Sequence, residues 1–140
     1  NIIEFLKVCN ILQITKLSIR KINIVEFKNG ENPNGILDLL LNKALINNND
    51  AFPNMNLINH NIHSVNFVNN EYFLNLKYGM NILPQLNNER GQLIIDIELY
   101  SKKNISIEDV ISESNTINSE IFNIFDWVIN DNTKKLLNNG

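Results

Sequence analysis

Apolar and polar residues alternate along four segments of the chain, and this alternation predicts four β-strands. The segments are residues 16–27, 62–68, 71–79 and 91–102. Successive side chains of a strand point to opposite faces of the sheet. The last segment, GQLIIDIELYSK, therefore places four aliphatic side chains on one face and carboxylates on the other. We expect the aliphatic face to lie in the core.

The second and third strands are predicted to form a β-hairpin around Asn69 and Asn70, a pair suited to a type I′ turn. A two-residue loop at this point sets Phe67 opposite Tyr72 and fixes the register of the remaining pairs. This register collects the apolar residues on one face, as expected for a core-facing hairpin. The residues on that face are Val65, Phe67, Tyr72, Leu74 and Leu76.

Apolar residues three and four positions apart predict a long amphipathic helix over residues 106–130, with Trp127 toward its flank. Ser106 and Asp109 resemble a capping box at its start. Shorter helices are predicted over residues 2–11 and 36–45, and residues 132–140 form a tail or a short last helix.

This order of elements predicts an α+β fold, because strands joined by hairpins and followed by a long helix do not build a doubly wound sheet. We expect an antiparallel sheet of about four strands, containing the β-hairpin and backed by the long C-terminal helix. The length suits a single domain over residues 1–140.

The charge balance is mildly acidic, with a formal net charge of −3 at pH 7 and a pI of about 5.3. This balance argues against a broad basic surface for nucleic acid. No apolar stretch reaches the roughly 20 residues of a membrane-spanning helix. We therefore expect a soluble, cytoplasmic protein without membrane contact.

Cysteine usage and the overall composition indicate the kind of genome and the environment of the thiol, but they do not indicate an activity. The single cysteine, Cys9, cannot form an internal disulfide, and its apolar neighbours favour a thiol in the core. Asparagine makes up about a fifth of the chain, whereas alanine occurs only at Ala44 and Ala51. Asparagine and isoleucine have AT-rich codons, so this composition indicates an AT-rich genome.

Asp96 and Glu98 are the clearest candidates for chemistry, because they share a strand face about 7 Å apart. Three interpretations stay open for this pair. The carboxylates belong to a solvated or ion-paired face, with Lys77 as one neighbour, or to an interface. Alternatively, they hold a divalent cation and divide acid and base roles in a hydrolase or phosphoesterase.

Arg20 is the predicted partner of Asp96. It lies on the even-numbered face of its strand, opposite the apolar Leu17 and Ile19. The carboxylate face also carries Ile94, which indicates that the face is partly covered. A covered carboxylate needs a partner, because burying an unpaired charge is unfavourable.

The remaining polar residues give weaker signals. His60 and His63 lie on opposite faces of a predicted strand, so they do not form a pair of metal ligands, and His63 falls on the core face. The polar face of the long helix, with Glu113, Ser119 and Glu120, is expected to be solvated. There is no glycine-rich phosphate loop and no nucleophile elbow, and we expect no cofactor and no resident metal.

Three stretches together resemble a sporadically distributed, uncharacterised prokaryotic protein family. LSIRKIN carries Arg20 and Asn23 at the Arg-x-x-Asn spacing of one family strand. LIIDIEL resembles the family's Leu-Asp-Ile-Asp strand, with Glu98 where the family often has Asp. SIEDVISESNTINSEIFNIF is similar to its closing Phe-rich helix.

The resemblance implies that Arg20, Asn23 and Asp96 form a binding or structural set. It covers only the C-terminal half of family members, so it implies a part of a longer protein or a divergent short form. It also implies a prokaryotic cytoplasmic protein. The patchy distribution of the family resembles that of defence-linked and toxin-linked genes.

Taken together, these features predict an interaction domain rather than an enzyme. We expect an accessory protein of the defence, immunity or antitoxin type that acts by contact with an unidentified protein partner and self-associates, as a homodimer for example. The alternative is the divalent-metal-dependent hydrolase or phosphoesterase that uses Asp96 and Glu98.

Overall fold

The computed structural model describes residues 2–28, 40–45, 60–82 and 90–138. Most of the predicted helix over residues 36–45 lies outside these ranges, as do the segments 46–59 and 83–89. Within the described part, residues 40–45 contain a short 3₁₀ turn, Lys43–Leu45.

The fold is α+β, as the sequence predicts, with a four-stranded antiparallel sheet and a long C-terminal helix. The strands are β1 Gln13–Ile14, β2 Leu17–Lys28, β3 His60–Val68, β4 Tyr72–Ile82, β5 Arg90–Ser101 and β6 Ile105–Ser106. In the described ranges, the helices are α1 Ile2–Val8, α2 Val110–Val128 and α3 Asp131–Asn138. The order in the main sheet is β2-β5-β4-β3, and β1 pairs separately with β6. No helix in the described part of the chain has the length and apolar character needed to cross a membrane.

The predicted register of the hairpin is wrong by two residues. Phe67 pairs with Leu74 rather than with Tyr72, and Val65 pairs with Leu76. The turn is centred on Asn70 and Glu71, because the backbone N–H of Asn69 donates to the carbonyl of Tyr72 at 3.1 Å. A slip of two residues leaves every side chain on its original face, so the predicted apolar face is nevertheless present.

The side chain of Asn69 explains why the turn forms one residue later than predicted. Its Oδ1 accepts hydrogen bonds from the backbone N–H groups of Glu71, at 2.9 Å, and Tyr72, at 2.6 Å. Asparagine forms local turns of this kind because its short side chain reaches the backbone two and three residues ahead. Asn69 therefore initiates the turn instead of occupying its centre.

Helix α1 ends three residues earlier than predicted because Asn10 adopts the left-handed conformation, with φ of 56°. Ile11 N–H donates to the Leu6 carbonyl at 2.9 Å and Asn10 N–H to the Lys7 carbonyl at 3.0 Å, the two bonds of a Schellman motif. Cys9 lies at this exposed helix end, so the expectation of a core thiol is wrong.

The core lies between one face of the sheet and α2, which packs across β5 and β2. The aliphatic face of β5 forms its centre, as the alternation predicts: Leu93, Ile95, Ile97 and Leu99. Helix α2 contributes Ile117, Ile121 and Val128. Residues 40 and 41 close one end, where the backbone N–H of Asn130 donates to the Leu40 carbonyl at 3.1 Å.

The opposite face of the sheet, which points away from α2, is called the open face below. It carries the even-numbered residues of β2 and β5 and the odd-numbered residues of β4. The position of α2 over β5 and β2 also leaves β3, at the far edge of the sheet, less covered on its core side. Phe67 is therefore 53% exposed although it lies on the apolar face of the hairpin.

Candidate functional site

A bidentate ion pair joins Arg20 and Asp96 on the open face. Arg20 Nε donates to Oδ1 at 2.8 Å, and Nη2 donates to Oδ2 at 2.7 Å. The contact is diagonal, because the residue directly opposite Arg20 on β5 is Glu98. Residue parity predicts a shared face for the guanidinium and the carboxylate, and the observed pairing of β2 with β5 brings the two groups within reach of each other.

Asp96 is only 7% exposed, although it lies on the open face. It occupies a central strand between Ile22 of β2 and Lys77 of β4, whose side chains flank it. The hydrogen bonds from Arg20 lower the pKa of Asp96 against the opposing effect of burial, and Lys77 adds to the lowering. The carboxylate is therefore held ionised, while half of the Arg20 side chain remains in contact with solvent.

Glu98 has a different partner from Asp96, since the hydroxyl of Ser18 donates to its Oε1 at 3.0 Å. Both oxygens of Asp96 accept hydrogen bonds from Arg20, so a cation shared by the two carboxylates would have to bind beside a guanidinium that already neutralises Asp96. The described residues contain no group of three or more His, Cys, Asp or Glu side chains able to hold a metal ion. The structure thus brings the two carboxylates onto one face but gives each its own partner.

Asn23, the third residue of the set implied by the resemblance, does not join this contact. It is three residues from Arg20 along β2 and lies on the opposite, core-side face, across from Ile95. The open face instead continues to an aromatic pair, in which Phe73 and Tyr100 stack at 4.9 Å. Lys16 Nζ lies 4.0 Å from the centre of the Tyr100 ring.

On the core side, an apolar groove runs between the hairpin and α2. We call it the Phe67 groove and define it by Phe67, Leu74, Leu76, Ile124 and Trp127, with Asn123 at its rim. Its volume is about 350 Å³. The two aromatic residues flank it and are 53% and 48% exposed. Trp127 thus lies on the flank of α2 near Ile124, and its ring forms part of a surface rather than of the core.

The groove continues toward the hairpin turn as a wider depression of about 710 Å³. This part shares Phe67, Leu74 and Ile124 with the groove and adds acidic side chains, Glu71 from the turn and Glu120 from α2. Val68, which is 62% exposed, also lines it. The surface as a whole has an apolar floor and an acidic side.

Sequence reasoning missed one buried polar contact beside this surface. The hydroxyl of Tyr72 donates to Glu113 Oε1 at 2.9 Å, and Lys103 Nζ lies 3.1 Å from Oε2. Glu113 is 8% exposed, so the expectation that it is solvated is wrong. The position of Glu113 in the sequence could have predicted this burial. Glu113 lies one helical turn before the buried Ile117 and two turns before the buried Ile121, so all three share the core-facing side of α2.

The contact between Tyr72 and Glu113 joins the hairpin to the first turn of α2. Burial raises the pKa of the Tyr72 phenol, and the hydrogen bond to the Glu113 carboxylate raises it further. The phenol is therefore held as a neutral donor, and the carboxylate has both a phenol and an ammonium as partners. This arrangement satisfies the buried charge and fixes one wall of the wider depression.

Comparison with known proteins finds no match to this chain among protein families, curated proteins or solved structures. The family resemblance of the three sequence stretches therefore stays a prediction.

Proposed function

We propose that this chain is a protein-contact module that binds an apolar segment of a partner protein in the Phe67 groove. The observation that carries the proposal is the pair of half-exposed aromatic side chains, Phe67 and Trp127, on either side of a groove lined almost entirely by apolar residues. Aromatic residues around an apolar pocket are the usual anchors of protein interfaces.

The charges beside the groove indicate the chemistry of the partner. Glu71 and Glu120 line the wider depression, and the chain as a whole carries a net charge of −3. A complementary segment carries large aliphatic or aromatic side chains for the apolar floor and Lys or Arg next to the two glutamates. Such complementarity orients the segment and accelerates its association.

Selection from a library of random peptides displayed on phage tests this proposal directly. We expect enriched peptides to combine closely spaced large apolar residues with flanking Lys or Arg, and to bind the unmodified chain. Phe67→Ser and Trp127→Ser should each weaken binding at least about tenfold, as expected for truncation of an anchor residue. The matched control is Phe122→Ser, since Phe122 is 65% exposed on α2 but does not line the groove.

The proposal fails if no peptide is enriched, or if the selected peptides bind both groove variants as well as they bind the unmodified chain. Thermal melting of each variant separates loss of the surface from loss of the fold. Because Phe67 and Trp127 are half exposed, both variants are expected to remain folded.

The biological setting that we propose is the accessory role suggested by the family resemblance, in defence, immunity or an antitoxin pair. Contact with a protein partner suits such a role without catalysis. The alternative from the sequence, a metal-dependent hydrolase built on Asp96 and Glu98, has no supporting contact among the described residues, because Arg20 and Ser18 are the partners of these carboxylates.

A further inference from the structure

Strand β2 forms one edge of the main sheet and is twelve residues long. Among the described residues, β5 is the only strand that pairs with it. Three aliphatic side chains near its centre are exposed to solvent: Ile22 at 52%, Ile24 at 53% and Val25 at 40%. A long edge strand with exposed aliphatic residues is a template for pairing with another strand.

Proteins usually protect such edges with short strands, prolines, bulges or inward-pointing charges. Strand β2 contains no proline, and no residue in it has a positive φ, so no glycine-type bulge interrupts it. Lys21 is the only charged residue on the core-side face between Leu17 and Val25. Its aliphatic stem can lie along a neighbouring apolar side chain while the ammonium stays in water.

We propose that β2 pairs with β2 of a second copy of this chain, antiparallel and centred on Asn23. In a continuous sheet, directly opposite residues share a face, so the paired residue numbers must both be odd or both be even. Centring on Asn23 satisfies this condition. It sets Ile22 opposite Ile24 of the second copy, and Arg20 opposite Glu26 of the second copy.

This register is favoured over its neighbours by the side chains that it brings together. Centring on Ile22 instead would place Arg20 opposite an isoleucine, and centring on Ile24 would place Glu26 opposite an isoleucine. Only the register centred on Asn23 pairs opposite charges and pairs the exposed isoleucines with each other, and both kinds of cross-strand pair are stabilising. The four isoleucines then cover one another at the centre of the joined open face.

Arg20 can contact Asp96 of its own copy and Glu26 of the second copy at the same time. Its bond to Asp96 uses Nε and one hydrogen of Nη2, which leaves further N–H donors on the guanidinium. Its side chain is 53% exposed, on the edge strand where the second copy would lie. The ion pair with Asp96 fixes the guanidinium in place, so less rotamer freedom is lost when Glu26 of the second copy approaches.

The resulting dimer has a twofold axis that passes between the two Asn23 residues, and it joins two four-stranded sheets into one. Both α2 helices lie on the same side of the joined sheet. Strand β3 is at the far edge of each copy, so both Phe67 grooves remain accessible. The inference therefore goes beyond the proposed function and does not depend on it.

Disulfide mapping in a Cys9→Ser background tests the register. Residues directly opposite in an antiparallel pair have Cα atoms about 4.5–5.5 Å apart, which suits a disulfide. The cysteine of Asn23→Cys would lie next to the twofold axis, opposite its own copy, and should form a cross-linked dimer on mild oxidation. Lys21→Cys and Val25→Cys should each cross-link poorly alone but should form a heterodimer with each other when mixed.

We expect Asn23→Cys to cross-link at least about tenfold faster than Lys21→Cys alone. In the dimer, only the thiol at position 23 lies directly opposite the same thiol of the second copy, at a high effective concentration. Sedimentation velocity of the unmodified chain should show a dimer, and Ile24→Lys should convert it to a monomer that keeps the circular dichroism spectrum of the folded chain. Trp127→Ser, in the Phe67 groove, should remain dimeric. A monomer at all concentrations, or equal cross-linking of Asn23→Cys and Lys21→Cys, would overturn the proposal.

Discussion

The phenol of Tyr72 donates a 2.9 Å hydrogen bond to the buried carboxylate of Glu113, and this contact ties the hairpin to the first turn of α2. The two residues are 41 positions apart in the sequence. The contact sets the spacing between β4 and α2 at one end of the wider depression beside the Phe67 groove. The groove therefore depends on a polar contact as well as on packing.

Removal of the Tyr72 hydroxyl should destabilise the fold. Tyr72→Phe leaves the Glu113 carboxylate with one partner fewer, which should lower the free energy of unfolding by about 1–2 kcal/mol. Urea denaturation followed by circular dichroism measures this change. Tyr100→Phe is the matched control, because Tyr100 contacts Phe73 and Lys16 through its ring rather than through its hydroxyl. Equal effects of the two variants would contradict the assigned contact.

Tyr72 should also shape the stability of the protein at alkaline pH. Its pKa is raised in the folded state, so its stabilising contribution is complete below the ordinary tyrosine value of 10.0 and is lost as pH rises through the higher folded value. Above pH 10, the unmodified protein should therefore lose stability more steeply than Tyr72→Phe. Urea midpoints measured from pH 8 upward test this difference, and parallel curves would contradict it.

The Arg20–Asp96 pair should lose its stabilising contribution at acid pH, whereas Tyr72 loses its contribution at alkaline pH. The pKa of Asp96 is lowered in the folded state, so the pair's contribution is present above the ordinary aspartate value of 3.8 and is lost as pH falls through the lower folded value. Asp96→Asn should lower the free energy of unfolding by about 1 kcal/mol at pH 7, because solvent still screens the exposed guanidinium. This difference should shrink below pH 3.8.

Glu98→Gln is the control for that experiment. Glu98 lies on the same face, but it accepts its hydrogen bond from the neutral hydroxyl of Ser18. It should therefore show a smaller change at pH 7. A difference between the unmodified protein and Asp96→Asn that stays constant down to pH 2 would show that the charge of Asp96 is not the source of the effect.

Asn69 should contribute more to the hairpin turn than its neighbour Asn70. Asn69→Ala removes the acceptor of two backbone N–H groups and should lower the free energy of unfolding by about 0.5–1 kcal/mol. Asn70→Ala leaves both of these hydrogen bonds in place and should change the stability less. Thermal melts of the two variants test the observed register, and a larger effect at Asn70 would favour the turn predicted from the sequence.

For the hairpin, the sequence predicts which side chains share a face but does not predict the register of the two strands. Alternation has a period of two, so it assigns Val65, Phe67 and Leu74 to one face correctly in either register. It cannot distinguish two registers that differ by two residues, and the choice depends on the local hydrogen bonds of Asn69. Parity likewise predicts the shared face of Arg20 and Asp96, but their contact also requires that β2 and β5 are neighbours, which the structure shows.

The Phe67 groove could not be predicted from the sequence because it depends on the order of the strands. Phe67 has the pattern of a core residue, and it is exposed because β3 is the edge strand farthest from β2, while α2 packs across β5 and β2. Glu113 is the reverse of Phe67, because it is a charged residue that is expected to be exposed and is buried. Its carboxylate is stabilised there by Tyr72 and Lys103, which come from two other segments. Both outcomes depend on contacts between distant segments.

The measurement that tests the central claim most directly is acrylamide quenching of Trp127, which is the only tryptophan in the chain and borders the Phe67 groove. Because the ring is 48% exposed, quenching should be efficient in the free protein. Saturation with a selected peptide should reduce the quenching constant several-fold and shift the emission to shorter wavelength. Unchanged quenching and emission at saturation would contradict the proposal that the groove is the binding surface.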